Sequence, residues 1–233
     1  MIVYGKNVIK EAIFTKRPIY QLYVDERMND QNFLKFLKDK QIKYQEVSKD
    51  KLYQLAKDHV HQGVVADVKD YEYVLLEEVL SDSKIQRFIT LDGIEDPHNL
   101  GAIMRTAEAT KLDAIIMSKK GQVPLNATVA KVSSGAIEHV PVALVSNINQ
   151  AINILKKHHV WVVGTDGSTE KTFYDLPKDV SLAIVLGNEG EGIRHLVKQN
   201  CDILVKIPMY GKINSLNVSV AAALMMYQMV VPK

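Results

Sequence analysis

The feature that most constrains this chain is a regular exchange of short apolar strands with helical patterns, sustained through its length. From Ile85 onward it reads Phe88–Leu91, a helix over about Asn99–Thr110, Ala114–Met117, a helix around Thr128–Ser134, Val140–Val145, a helix over Asn149–His158, Trp161–Gly164, Leu182–Leu186, a helix near Ile193–Gln199, Ile203–Ile207 and a final helix. Strands joined through helices pair in parallel, because each crossover returns the chain to the same end of the sheet. The expected fold class is therefore α/β, with helices on both faces of a parallel sheet. Ligand-binding loops are expected just after the strands, at their carboxyl ends.

Residues 1–68 read as a smaller α/β unit: Ile2–Tyr4, a helix from about Asn7 to Phe14, Ile19–Val24, a helix over Asp30–Lys40, Tyr44–Val47, a helix over Lys49–Lys57, and Val64–Val68. Asp30 suits an N-cap, and Phe33, Phe36 and Leu37 supply an apolar face. This segment holds 12 Lys+Arg against 9 Asp+Glu; the whole chain holds 29 against 27, so the remainder has 17 against 18 and the basic excess lies at the N-terminus. Such lysines form either a solvated helix face or a nucleic-acid surface. His61, two residues before Gly63 at the start of a strand, reads as structural. Residues 69–84 carry four carboxylates ahead of a Ser-Asp-Ser cluster and are expected to be a linker, from which Val74, Leu75, Leu76, Val79 and Leu80 could dock as a short helix. The lone cysteine, Cys201, excludes an intramolecular disulfide and suits a reducing compartment. With no long apolar run and no metal-ligand pattern of His, Cys or carboxylates, the expectation is a cytoplasmic protein without membrane or metal partners.

Three stretches carry the chemistry. After Phe88–Leu91 comes DGIEDPHNLGAIMRTAEA, in which Asn99 is expected to cap a helix whose small residues Gly101, Ala102, Thr106 and Ala109 let another chain approach. Arg105 sits among small and apolar residues and cannot shed its charge. It needs an anionic or carbonyl partner: a salt bridge to Glu108 or Asp96, or a ligand. After Leu182–Leu186 comes GNEGEGI, whose Gly187, Gly190 and Gly192 permit left-handed backbone and close approach, with Glu189 between them. It matches neither a dinucleotide fingerprint nor a Walker loop.

The third stretch, IPMYGKINSLNVSVAAALMMYQMV, runs from Ile207 to Val230 through a polar loop into a helix that is apolar almost all round, expected to be buried, with Ser215 as its N-cap. Ser215, Asn217 and Ser219 need partners at its start. The turn GTDGST from Gly164 to Thr169 also follows a strand, so these loops are expected to converge on one pocket suited to group transfer from a bound cofactor.

Taken together, DPHNLGAIMRTAEA, IVLGNEGEGI and IPMYGKINSLNVSVAAA resemble the three motifs of the SpoU/TrmH family of RNA ribose 2′-O-methyltransferases. The likeness spans roughly residues 85–233. Residues 1–68, opening VYGKNVIKEAI and closing HQGVVADV, resemble the ribosomal-protein-like RNA-recognition unit of members that methylate a guanosine of 23S ribosomal RNA.

The resemblance implies an N-terminal RNA-binding domain (1–68), a linker (69–84) and a SPOUT-type domain (85–233) with a deep trefoil knot. It further implies a homodimer, with S-adenosylmethionine as cofactor. Cofactor contacts would fall on Thr165, Asp166, Gly167, Leu186, Gly187, Asn188, Gly192, Ile207, Pro208, Met209, Ser215 and Leu216. Arg105 would act on the 2′-hydroxyl, with Asn99, Glu189, Ser215 and Asn217 orienting it and the ribose. Transfer RNA is the rival substrate, and a non-catalytic RNA-binding assembly factor is the rival class.

Overall fold

The structure is a computed structural model that describes residues 1–188, 190 and 192–230. The chain divides into two compact units, one made of Met1–Tyr71 with Leu125–His139, the other of Glu72–Pro124 with Val140 onward. The sequence reading placed 125–139 within the 85–233 segment; in the structure these residues pack with the first unit.

The first unit contains β1 (Ile2–Tyr4), α1 (Lys6–Phe14), β2 (Ile19–Asp25), α2 (Gln31–Asp39), β3 (Gln45–Val47), α3 (Lys49–Ala56) and β4 (Val64–Val68). Its four-stranded sheet runs β1-β4-β2-β3, with β4 antiparallel to both neighbours and β3 parallel to β2. Asp30 caps α2 by accepting from the Phe33 N–H at 3.0 Å, which fixes the turn that buries Phe33 and Leu37.

Elements of the second unit and the shared segment follow in chain order: α4 (Leu76–Val79), β5 (Arg87–Asp92), α5 (Pro97–Ala109), β6 (Ala114–Ser118), α6 (Ala127–Val132), β7 (Val142–Val145), α7 (Ile148–Lys157), β8 (Trp161–Thr165), β9 (Leu182–Gly187), α8 (His195–Gln199), β10 (Ile203–Val205) and α9 (Val218–Val230). Of these α6 belongs to the first unit. The segment around α6 is anchored by a buried ion pair: Arg17 donates to Glu138 at 2.7 Å, with side chains 8% and 5% exposed. The Tyr71 hydroxyl donates to the same carboxylate at 2.9 Å, and the Arg17 guanidinium lies 3.4 Å above the Tyr71 ring. Burial, and then the Glu138 charge, push the Tyr71 hydroxyl far up from its ordinary range.

The sheet of the second unit is six-stranded and wholly parallel, ordered β10-β8-β9-β5-β6-β7. The alternation thus gives the architecture expected of it. The 69–84 stretch is docked, with Val74 bridging to Ala143 in parallel and Leu76 buried in α4. Two helix starts differ from expectation. Asp96, not Asn99, caps α5 by accepting from the His98 N–H at 2.9 Å, because Pro97 supplies the first helical residue and needs no N–H partner. The last helix begins at Val218, and Asn217, not Ser215, occupies its cap: Asn217 Oδ1 accepts from the Ser219 N–H at 2.9 Å. That helix is also buried on one side only. Ala222, Met225, Met226 and Met229 face inward, while Val220, Leu224 and Tyr227 are 48%, 40% and 51% exposed.

Glu138→Ala strands a buried guanidinium, and its expected cost is about 3–5 kcal/mol. Removing the exposed Glu11–His139 pair by Glu11→Ala is expected to cost about 1 kcal/mol or less. Urea unfolding of the two variants, side by side, measures the difference.

Candidate active site

The parallel order places the carboxyl ends of β10, β8 and β9 side by side, and a cavity of about 510 Å³ opens there. Thr165, Asp166 and Gly167 line it from the end of β8, Leu186 from β9, and Val205 and Lys206 from the end of β10. The loop that follows adds Ile207, Pro208, Met209, Asn214, Ser215 and Leu216, and α9 closes the cavity with Ala221 and Met225. The walls are mainly aliphatic, with polar atoms confined to strand ends and loops. A flat apolar ring carrying a polar edge suits such a lining.

The wall at the end of β8 is held in place by bonds of its own side chains. The Thr165 hydroxyl donates to the Val185 carbonyl at 3.1 Å, fastening the end of β8 to β9. Asp166 accepts from the N–H and the hydroxyl of Ser168 at 2.7 and 2.6 Å and pairs with Lys198. Its carboxylate is thus engaged in shaping the turn.

Gly187 and Gly192 shape the loop after β9. A Cβ on Gly187 would lie 1.9 Å from the carbonyl carbon and oxygen of Gly192, and Gly192 itself has φ of +70°. The Asn188 carbonyl accepts from the Gly192 N–H at 3.0 Å, closing the loop back on the strand end. Of the loop's expected cofactor residues, Gly187, Asn188 and Gly192 do not line the cavity. Glu189 lies outside the described residues.

The loop after β5 does not join the cavity, contrary to the expectation of a single pocket. Gly93, Ile94, Glu95, Asp96 and Asn99 line a separate hollow of about 210 Å³ with Asn188 and Val218. The two spaces share the same chain segments, since Leu186 and Leu216 face the first and Asn188 and Val218 the second. Asn217 Nδ2 donates to Asn99 Oδ1 at 3.0 Å, so the starts of α5 and α9 are joined at this hollow.

Arg105 is exposed and, among the described residues, has no ion pair; neither Glu108 nor Asp96 engages it. Its separation from Asn99 by six positions rotates it about 240° around α5 at ~100° per residue. It emerges on the face with His98, Ala102 and Ala109.

Some parts of the site escaped the sequence reading. Asp92, at the end of β5 and 4% exposed, accepts from Arg194 Nε at 2.9 Å and from Arg194 Nη2 at 2.5 Å. Hydrogen bonding to Asp92 raises the Arg194 pKa further. The pair ties the far end of the β9 loop to β5. Gln122 Oε1 accepts from the Gly93 and Ile94 N–H groups at 3.0 and 2.7 Å and so sets the loop of the smaller hollow. A carboxylate ending a strand and an arginine following a glycine loop were visible signals; Gln122 had none.

Residues 86–227 match the SpoU rRNA Methylase family, and residues 2–74 match a unit described as RNA 2′-O ribose methyltransferase substrate binding. The chain belongs to the SpoU/TrmH family of RNA methyltransferases. A Staphylococcus aureus protein assigned to the TrmH family of tRNA/rRNA methyltransferases is 45% identical over 97% of this chain and 94% of its own. The SpoU methyltransferase AviRb of Streptomyces viridochromogenes, solved with AdoMet, aligns over 99% of this chain and 89% of its own, with TM-score 0.85 and 22% identity. An AdoMet-bound rRNA methyltransferase from Sinorhizobium meliloti gives TM-score 0.83 at 22% identity, covering 98% of this chain and 85% of that one.

Gly187→Ala is expected to cost about 1–3 kcal/mol, because the added methyl meets backbone that cannot yield without moving the loop. Gly211→Ala, with nothing within 4 Å of the added Cβ, is expected to leave the melting curve unchanged. Thermal melts of both variants test the close approach.

Proposed function

We propose that the protein is an S-adenosylmethionine-dependent RNA ribose 2′-O-methyltransferase acting on a guanosine of 23S ribosomal RNA. The observation that carries this reading is the pairing of spaces around the strand ends: an apolar cavity large enough for a nucleoside-sized cofactor, sharing its walls with a polar hollow where Asn99 and Asn217 meet. S-adenosylmethionine would be held by Thr165–Gly167, Leu186, Ile207–Met209 and Ser215–Leu216, and when bound it supplies an electrophilic methyl group. Aliphatic walls from Leu186, Ile207 and Leu216 suit its adenine ring, and backbone groups of the same loops suit its polar edges. The knotted path of the family suits a chain that leaves β10, lines the cavity with its loop and re-enters the layer of helices as α9.

The work of this chain is alignment and charge stabilisation. Orienting a ribose 2′-oxygen in line with the methyl group is worth several kcal/mol by the general magnitude of such effects, ~7–11 at the upper end. The Asn99–Asn217 pair, with Asn217 Oδ1 already committed to the cap of α9, is a rigid element against which the ribose can seat. Arg105 carries a guanidinium, which holds its proton in proteins and so cannot act as a neutral base. It grips a phosphate and the developing alkoxide, as electrostatic stabilisation. Because it points away from the Asn99 face of its own helix, it serves the site of a second subunit. The exposed stripe Val220, Leu224 and Tyr227 on α9, which packs beside α5, supports a homodimer through this face. Ser215 and Glu189 complete the ribose-orienting set.

Residues 1–68 serve as the RNA-binding domain, supported by the match of 2–74 to a substrate-binding unit. Assignment to ribosomal RNA rests on the family description and on the rRNA methyltransferase of Sinorhizobium meliloti, which covers both units. The description of the Staphylococcus relative as acting on tRNA or rRNA makes transfer RNA the second reading.

Transfer of labelled methyl from S-adenosylmethionine to unmodified 23S ribosomal RNA and to bulk transfer RNA, mapped at nucleotide resolution, decides between them. One modified guanosine ribose in the ribosomal RNA is expected; modification of transfer RNA alone overturns the substrate, and cofactor binding without transfer to either overturns the enzyme. Arg105→Ala is expected to lower turnover by about a hundredfold or more while retaining cofactor binding, and near-normal turnover refutes its role. Leu224→Glu is expected to convert the dimer to monomer in light scattering, an outcome that a monomeric wild type would contradict.

A further inference from the structure

The sheet of the first unit leaves part of one strand uncovered. β3 accompanies β2 only at Tyr23–Asp25, so on the side facing β3 the residues Ile19–Leu22 have no strand beside them. A cavity of about 600 Å³ opens there. Its walls come from Ile19 to Leu22, from Ile13, Lys16 and Arg17 at the end of α1, and from the segment Gln41–Tyr44 that leads into β3.

A β-bulge aims Tyr20. Ile19 pairs with Val68 and Gln21 with Asp67, so Tyr20 is an extra residue on β2 with no counterpart on β4. Bulges re-aim a side chain and are frequent beside functional sites. Here the ring is 65% exposed on the cavity wall, where Tyr44 joins it at 37%. Tyrosine suits a strand in its own right, but on a sheet it usually rests on a neighbouring side chain. The other exposed aromatic rings of this unit do have partners: Phe14 meets Phe36 at 5.4 Å and lies 5.4 Å from the Lys40 ammonium, and Tyr53 stacks on His59 at 4.1 Å. Among the described residues Tyr20 and Tyr44 have no ring contact, and their hydroxyls have no hydrogen bond.

The charge of the recess has one sign. Lys16, Arg17 and Lys43 line it, and no Asp or Glu does. Arg17 is committed to Glu138 and to the Lys69 carbonyl, so it holds the wall. Lys16 and Lys43 are exposed and have no ion pair among the described residues. Gln21 and Gln41 add amides that can both donate and accept. Uncovered rings, amides and unpaired ammonium groups on one recess match the face of a nucleobase, its polar edge and its phosphate. A peptide strand added to the same edge would be held by main-chain bonds and would need neither the tyrosines nor the lysines.

We infer that this recess holds one unpaired nucleotide of the substrate RNA, its base stacked on Tyr20 and Tyr44 and its phosphate neutralised by Lys16 and Lys43. The inference rests on the RNA-methyltransferase reading for the source of the nucleotide. It goes beyond that reading in assigning a particular place on the first unit to base stacking. Every base has a face to stack, so the recess selects a nucleotide that is free of a duplex and accepts any sequence.

The test uses the full chain in filter binding to unmodified 23S ribosomal RNA across a salt series. Tyr20→Ala/Tyr44→Ala is expected to weaken binding about tenfold or more with the log–log salt slope unchanged. Tyr20→Phe/Tyr44→Phe, which keeps both rings, is expected to bind as the wild type does. Lys16→Ala/Lys43→Ala is expected to flatten the slope by about 1.4, the value for two phosphates of a single strand. Binding of S-adenosylmethionine should be unchanged in all three variants. Photo-crosslinking to RNA that carries thiouridine, read by mass spectrometry, should attach to the peptides containing Tyr20 or Tyr44.

Wild-type affinity in the alanine variant, or an equal loss in the phenylalanine variant, would overturn the inference. A change of mass in light scattering on Tyr20→Ala/Tyr44→Ala, with RNA affinity intact, would also overturn it and assign the face to a second copy of the chain. Tyrosine-dependent RNA binding without methyl transfer to any RNA would instead sink the methyltransferase reading and leave the recess standing.

Discussion

Strand β9 is the element on which the second unit depends. It pairs with β8 on one edge and β5 on the other, and its residues are buried from Leu182 to Gly187. A strand enclosed on both faces and both edges can present chemistry only at its end. That end is where Leu186 faces the cavity, Asn188 faces the smaller hollow, and Gly187 between them packs against the Gly192 backbone with no space for a methyl. One residue of larger size at 187 would move the loop that both spaces share. The Asp92–Arg194 pair restrains the other end of the same loop, so its two termini are fixed to adjacent strands.

The fold was legible because its signal is repetitive. Apolar runs such as Leu182–Leu186 are too short for helices and too continuous for a half-solvated strand, which leaves a buried parallel sheet as the consistent arrangement. The cavity was legible for a related reason: in such a sheet the position of a loop after its strand determines the end at which it lies. What escaped was information that depends on sequence-distant partners. The start of α9 was misplaced by two residues, because Ser215 is an equally good cap in isolation and the contact with distant Asn99 favours Asn217; the start of α5 was misplaced by three although Pro97, beside Asp96, is a local signal for it. The association of 125–139 with the first unit rests on Glu138 meeting Arg17 and Tyr71, contacts 121 and 67 residues apart in sequence that no local pattern announces.

Arg105 shows how a local deduction can fail. An arginine among small residues needs a partner only where it is buried, and this one is exposed, with neither Glu108 nor Asp96 engaging it. In the structure the small residues Ala102 and Ala109 flank it on the solvent side of α5, where they leave room for an approaching surface instead of packing a core. The same holds for α9. An amino-acid pattern that is apolar all round reads as complete burial, yet Val220, Leu224 and Tyr227 are left outside while the methionines fill the inside. Apolar surface left outside on a helix can in general be matched by a second chain as well as by its own.

Charge is also unequally divided along the chain. A sulfonium cofactor is cationic, so a cavity for it gains nothing from lysines, and among the residues lining the cavity the one lysine, Lys206, is accompanied by Asp166, itself neutralised by Lys198. The basic excess of the chain lies in residues 1–68, with a net of +3 there (12 Lys+Arg less 9 Asp+Glu) against −1 elsewhere (17 less 18). An overall charge near neutrality therefore conceals parts of opposite sign. Attraction of a polyanion to a basic surface rises as salt falls, whereas burial of an apolar ring is nearly insensitive to salt.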